Sequence, residues 1–169
     1  MNFQPKGVLI LAPMGIGKSY YIKNNVPVSH QSLFLDGDEL LLLLGIKNRN
    51  YFWYDYTKKE ERNKIIEAFD EWLNKGCNIF YSGNPKLMKT DIIIIPDKTV
   101  RWERLQNREG FRPSKYVFDR EQKVFESFVD GRNYDNVFII KGDIPEFEFL
   151  SYGIQYLKTR DKNKNTDNF

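Results

Sequence analysis

With 169 residues, 41% of them hydrophobic and 15% aromatic, the chain is long enough to bury one sizeable core and too apolar to be disordered. A net charge of +3 and a pI near 8.8 suit an anionic ligand, yet no segment carries the dense Lys/Arg stripe of a dedicated nucleic-acid binder. The single cysteine, Cys77, excludes an intrachain disulfide and a cysteine metal cluster, and no apolar stretch reaches about 18 residues, so the chain is expected to be cytoplasmic, without a membrane span.

The chain begins with an apolar run, Gly7 to Leu11, that reads as a buried parallel strand, and residues 18–25 read as a helix. Between them lies Ala12-Pro13-Met14-Gly15-Ile16-Gly17-Lys18-Ser19. Strand, glycine-rich turn and helix follow in the order that a phosphate-binding loop requires. Glycines at 15 and 17 let successive backbone N–H groups turn inward with no side chain in the way. On this reading the amides of Met14, Gly15, Ile16, Gly17, Lys18 and Ser19 cradle the phosphates of ATP. The Lys18 ammonium reaches the β and γ phosphates, and the Ser19 hydroxyl ligates Mg²⁺. Ala12 stands where such loops usually begin with Gly.

Residues 24–31, with Pro27, read as a loop whose His30, the only histidine, is an ordinary surface residue. Ser32 to Asp36 is the second strand, and Gly37-Asp38-Glu39 opens a short helix that Gly45 ends. Residues 46–56 mix Tyr51, Phe52, Trp53, Tyr54 and Tyr56 with Lys47 and Arg49. Thr57-Lys58-Lys59-Glu60 is a capping box for a helix whose Ile65, Ile66, Phe69, Trp72 and Leu73 recur at helical spacing until Gly76. Cys77 to Tyr81 is the third strand. Asp91 to Ile95 is the fourth, and its unbroken isoleucines imply burial on both faces. Only residues 83–90 join these two strands; eight extended residues reach roughly 26 Å where about 20 Å must be crossed, a nearly taut link. A helix over 98–108 carries Arg101, Arg104 and Arg108 at i, i+3 and i+7. The next helix, beyond Gly110 and Pro113, has an apolar seam interrupted only by Glu121 and stops at Gly131. Asn136 to Ile140 is the fifth strand, 146–157 a closing helix, and 158–169 a disordered tail.

This alternation predicts an α/β sandwich with a mostly parallel sheet. Asp36 and Asp38 stand at the carboxyl end of the second strand, the edge where open α/β sheets bind ligands. The similarity of Asp36-Gly37-Asp38 to the Asp-x-Asp of shikimate kinase implies that one carboxylate holds Mg²⁺ through water while the other accepts from a substrate hydroxyl; alternatively Asp38 caps the short helix. The charge that develops in phosphoryl transfer calls for guanidinium groups that close over it, and Arg108 with Arg112 is the candidate pair. An exposed aromatic in the 51–56 cluster, Phe52 being the candidate, can stack on a base, and Lys47 and Arg49 can hold an acceptor phosphate.

Taken together, these motifs resemble the P-loop kinases over about residues 7–157, chiefly the nucleoside monophosphate kinase branch that includes adenylate kinase, with some similarity to shikimate kinase. Gly15-Ile16-Gly17-Lys18-Ser19 matches the family's loop, and Gly37-Asp38-Glu39-Leu40-Leu41 is similar to its substrate-side Gly-Asp segment. Ser82-Gly83-Asn84-Pro85-Lys86 is similar to its Asp-Gly-x-Pro-Arg segment, and Pro96-Asp97-Lys98 with Arg104-Leu105 and Arg108 to the helix leading into its lid. The resemblance implies a three-layer fold with a five-stranded parallel sheet in the order 2-3-1-4-5. It also implies an acceptor-binding segment at about 38–60, with Lys86 beside it, and a lid at about 108–116. Arg104 and the backbone at Gly142 would belong to the ATP site. Two departures stand out: Ser82 replaces an Asp near the metal, and Leu41 replaces a phosphate-binding Arg of adenylate kinase. The leading expectation is transfer of the ATP γ-phosphate to a nucleoside or deoxynucleoside monophosphate. The alternatives are a hydroxyl acceptor, on a small metabolite, nucleoside or polynucleotide 5′ end, with Asp36 or Asp38 as base, and a nucleotide-binding module without transferase activity.

Overall fold

The computed structural model describes residues 6–24, 33–46, 59–83, 89–110, 112–127, 137–141, 154, 155 and 157. Five strands form one sheet: β1 (Leu9–Leu11), β2 (Phe34–Asp36), β3 (Asn78–Tyr81), β4 (Ile92–Ile95) and β5 (Phe138–Lys141). Every pairing is parallel and the order is β2-β3-β1-β4-β5, as the resemblance implies. The helices are α1 (Lys18–Asn24), α2 (Gly37–Leu43), α3 (Lys59–Asn74), α4 (Lys98–Gln106) and α5 (Lys115–Glu126).

Alternate strand residues feed opposite faces of the sheet. Ile10, Phe80, Ile92 and Ile94 join Ile16 and Tyr21 on one face, with Ile154 and Leu157 from the helical segment near the end of the chain. Leu9, Leu11, Ile79, Tyr81, Ile93 and Ile95 join Leu40 and Leu41 of α2, Ile65, Phe69 and Leu73 of α3, and Phe125 of α5 on the other. Both faces are covered, so the isoleucine run in β4 is buried throughout, and each such side chain contributes about 1.5–3 kcal/mol. Side chains finish what the short strands leave open: Asn78 Oδ1 accepts from Val8 N at 3.1 Å and Asp91 Oδ2 from Leu9 N at 2.8 Å. Among the described residues no helix is long and apolar enough to cross a membrane.

Two details differ from the sequence reading. Because β3 stops at Tyr81 and β4 starts at Ile92, ten residues, 82–91, join them and not the eight predicted. The short second helix begins at Gly37 as predicted, but its cap is Asp36, whose Oδ1 accepts from Asp38 N at 2.9 Å, so the alternative in which Asp38 is the cap is overturned. The aromatic stretch 51–56, Thr57 and Lys58 of the capping box, His30, the tail and most of the closing helix lie outside the described residues.

Candidate active site

In the sheet register Leu11 faces Tyr81 and Asp36 faces Phe80, so β1, β2 and β3 end side by side and release Ala12, Gly37 and Ser82 at one carboxyl edge. The loop from Ala12 to Gly17 leaves that edge and enters α1. Gly15 and Gly17 have φ of 84° and 97°, the left-handed region that the sequence reading requires of them. Gly15 also lacks room for a side chain, since a Cβ there would meet Leu105 Cγ of α4 at 2.7 Å.

Lys18 is the centre of the site. Its Nζ donates to Ala12 O at 3.1 Å, Pro13 O at 2.9 Å and Ser82 Oγ at 2.6 Å, and the Ser82 hydroxyl in turn donates to Ala12 O at 3.0 Å. Burial lowers the ammonium from its ordinary value to about 8; Asp38 and then Asp36 pull it upward, while Arg101 and Arg108 push it down. Asp36, Asp38, Arg101 and Arg108 therefore all lie within electrostatic reach of Lys18. The Tyr81 phenol is buried beside them and is pushed well above its ordinary value, by burial first and by Asp38 second. Ser82, which stands where the resembled family has an acid, serves as the hydroxyl that ties Lys18 to the loop carbonyl.

Arg101 departs from Arg104 and Arg108, with which the helical spacing places it on one face. It is fully enclosed, with Nε donating to Met14 O at 2.7 Å, Nη1 to Gln122 Oε1 at 2.8 Å and Nη2 to Glu121 Oε2, and with its guanidinium 4.5 Å from the Phe118 ring centre. Glu121 Oε1 faces the Met14 amide in a long contact of 3.4 Å. Arg104, Arg108 and Arg112 are exposed, and Arg112 Nε donates to Arg108 O at 3.0 Å. Helical spacing places Arg101 on the face of α4 that begins under the loop, whereas Arg108 lies past the end of α4, where the chain has emerged into solvent. Glu121 and Ser82 are the contributors that the motifs do not announce; for Glu121 the signal is its position as the lone carboxylate in an apolar seam.

Ser19 is exposed at the start of α1. Leu41, at the position of the absent phosphate-binding Arg, is buried in the core, so no cation replaces that Arg there. Lys47, Arg49, Phe52, Lys86 and Gly142 lie outside the described residues.

A solved structure shares this architecture. The chain is similar in structure to a gluconokinase from Sinorhizobium meliloti 1021, with a TM-score of 0.57 over 98% of this chain and 99% of that one, at 16% identity. The fold is that of a P-loop kinase. No protein-family model and no curated protein matches the sequence, so the likeness resides in the fold. It gives no preference to the nucleoside monophosphate kinase branch.

Proposed function

We propose that the chain is an ATP-dependent phosphotransferase whose acceptor is a hydroxyl group of a small molecule. The observation that carries this reading is that Asp36 and Asp38 stand at the carboxyl edge within electrostatic reach of Lys18, while the place of an acceptor-phosphate Arg is taken by buried Leu41. A phosphate acceptor is already anionic and calls for cations. A hydroxyl must lose a proton and calls for a carboxylate. The gluconokinase likeness in fold agrees, gluconate being a polyhydroxy acid.

The residues fit Mg-ATP. Two glycines with positive φ leave the loop amides uncovered by side chains, and among the described residues Lys18 hydrogen-bonds only to uncharged oxygens, which phosphate oxygens can replace. Ser19 and Asp36 are the residues that would hold the metal, Asp36 having its second carboxylate oxygen without a hydrogen bond among the described residues. When bound, Mg-ATP supplies the phosphoryl group and part of the charge neutralisation that its transfer needs. Lys18 compensates the charge on the β and γ phosphates, and Arg108, with Arg112 braced on its carbonyl, shields the transferring group from water. Asp38 takes the proton of the acceptor hydroxyl.

A labelled-ATP screen over polyhydroxy acids including gluconate, sugars, nucleosides, DNA 5′ ends and nucleoside monophosphates tests this reading. Transfer to a hydroxyl compound is expected, with a loss on the order of 10²–10⁴-fold in Asp38→Asn, the usual contribution of a general base. Transfer confined to nucleoside monophosphates and indifferent to Asp38→Asn defeats it and returns the assignment to a nucleotide kinase that uses Lys47, Arg49, Phe52 and Lys86.

A further inference from the structure

Arg101 and Glu121 form a buried ion pair that phosphate binding does not itself demand. Arg101 is fully enclosed and Glu121 and Gln122 nearly so. Replacing a buried pair by apolar side chains of similar volume is often neutral or stabilising, so stability alone does not account for two charges at this place. Their partners do. Arg101 Nε holds the carbonyl of Met14, Glu121 Oε1 faces the amide of the same residue, and the two side chains bond to one another. Met14 is thus gripped at both polar groups of its backbone, one residue before the left-handed turn at Gly15. Gln122 steadies the far side of the guanidinium and is itself tied to Pro96 O and Glu126 Oε1.

The two arms of the grip come from different helices. Arg101 belongs to α4, Glu121 and Gln122 to α5, and the connection between those helices, 107–114, carries Arg108 and Arg112. We propose that Arg101 and Glu121 are positioning residues that bind the phosphate loop to both helices flanking the Arg108/Arg112 segment, so that the loop and the closing guanidiniums meet the triphosphate in one fixed relation. The inference rests on the phosphotransferase reading above. Neither residue touches the reacting atoms; each acts through the Met14 peptide, on which the aim of the neighbouring amides depends.

The test is the double variant Arg101→Met with Glu121→Leu, which removes both charges and keeps the volume filled. Turnover is read with the best acceptor of the screen, and with water as acceptor by release of inorganic phosphate. Thermal unfolding at or above the wild-type temperature is expected, with kcat reduced at least 30-fold and KM for ATP changed less than tenfold, the split that marks lost positioning and not lost binding. Arg101→Lys keeps the charge but lacks the fork that spans Met14, Glu121 and Gln122, and is not expected to restore kcat. A well-folded double variant with kcat within threefold of wild type overturns the proposal. Should the double variant not fold, Arg101→Lys decides, and near-wild-type kcat in it overturns the proposal equally; failure of both to fold overturns it by making the pair a folding determinant. Failure of the wild-type chain to bind Mg-ATP or transfer phosphate is a separate result, which defeats the phosphotransferase reading and not the grip.

Discussion

Lys18 and Arg101 are two cations drawn in against the same loop, and they differ in what they touch. Among the described residues Lys18 bonds only to uncharged oxygens, those of Ala12, Pro13 and Ser82. Arg101 spends its fork on a carbonyl, an amide and a carboxylate. A cation held by neutral groups keeps most of its attraction for an incoming anion, while one already paired with a carboxylate has little left to offer. Burial lowers both, Lys18 to about 8 and Arg101 to about 10, with Glu126 pulling Arg101 back upward, so only Lys18 is brought near the physiological range. The first is placed to act on a ligand; the second is placed to hold the loop that presents it.

The sharpest way to break this contrast is to remove each charge in turn. Lys18→Met is expected to lower phosphate transfer by on the order of 10³-fold, the scale of losing a preorganised charge at the transferring group, with the folded state unharmed. Arg101→Met alone, by contrast, leaves Glu121 buried without its partner and is expected to cost about 3–5 kcal/mol of stability. Chemical denaturation alongside initial rates separates them, and a destabilised Lys18→Met with a stable Arg101→Met would reverse the assignment of roles. Next in size, Arg108→Ala is expected to reduce kcat about tenfold, roughly 1.4 kcal/mol, because Arg108 lies within electrostatic reach of Lys18. Arg104→Ala is expected to act chiefly on KM for ATP, and equal kcat losses in the two variants would mean that Arg104 and Arg108 act as one undifferentiated basic patch.

The smallest effect concerns protons. A phosphate beside Lys18 restores the ammonium, so Mg-ATP binding at pH 8 is expected to take up about half a proton, vanishing near pH 6.5 and in Lys18→Met. Calorimetry in two buffers of different ionisation enthalpy reads this, and identical heats would show that Lys18 is not depressed. The sign for stability follows from the same shift. Because the folded-state value is below the unfolded one, the buried ammonium costs stability in full below about pH 8, and that cost disappears as the pH rises toward 10.5.

Much of the donor side is legible in the sequence, because its requirement is backbone conformation. Left-handed φ at two points beside a lysine leaves few choices besides glycine, so Gly15, Gly17 and Lys18 report geometry directly. The isoleucines of β4 report two-sided burial in the same direct way. Spacing on α4 is less informative, since i, i+3 and i+7 give an angle around the helix and say nothing about depth along it. Arg101 is buried and Arg108 exposed for that reason, and only Glu121, a carboxylate where the seam wants an apolar residue, hints that a buried cation lies opposite. Asp36-Gly37-Asp38 offers two caps to one helix. The choice falls on Asp36 because Gly37 packs where a Cβ would come within 2.9 Å of Phe80 O and of the Tyr81 ring, fixing the start of α2 against β3. That contact depends on the finished sheet and has no local signature. The residues read from sequence as acceptor-binding, Lys47, Arg49, Phe52 and Lys86, lie outside the described residues, and so the acceptor side rests on Asp36 and Asp38.

The central place of β1 has a consequence for how such a molecule can change. Its two neighbours divide the sheet into flanks: on the β3 side, β2 and the α2 that follows it carry Asp36 and Asp38, while on the β4 side α4 and α5 carry the grip on Met14. Between the flanks, Ser82 and a few backbone bonds are the direct links to the loop. On the proposed reading, substitutions that refit the β2–β3 wing to a new acceptor leave the grip on Met14 in the other wing untouched. A layout of this kind allows one inherited engine to drive many different tools.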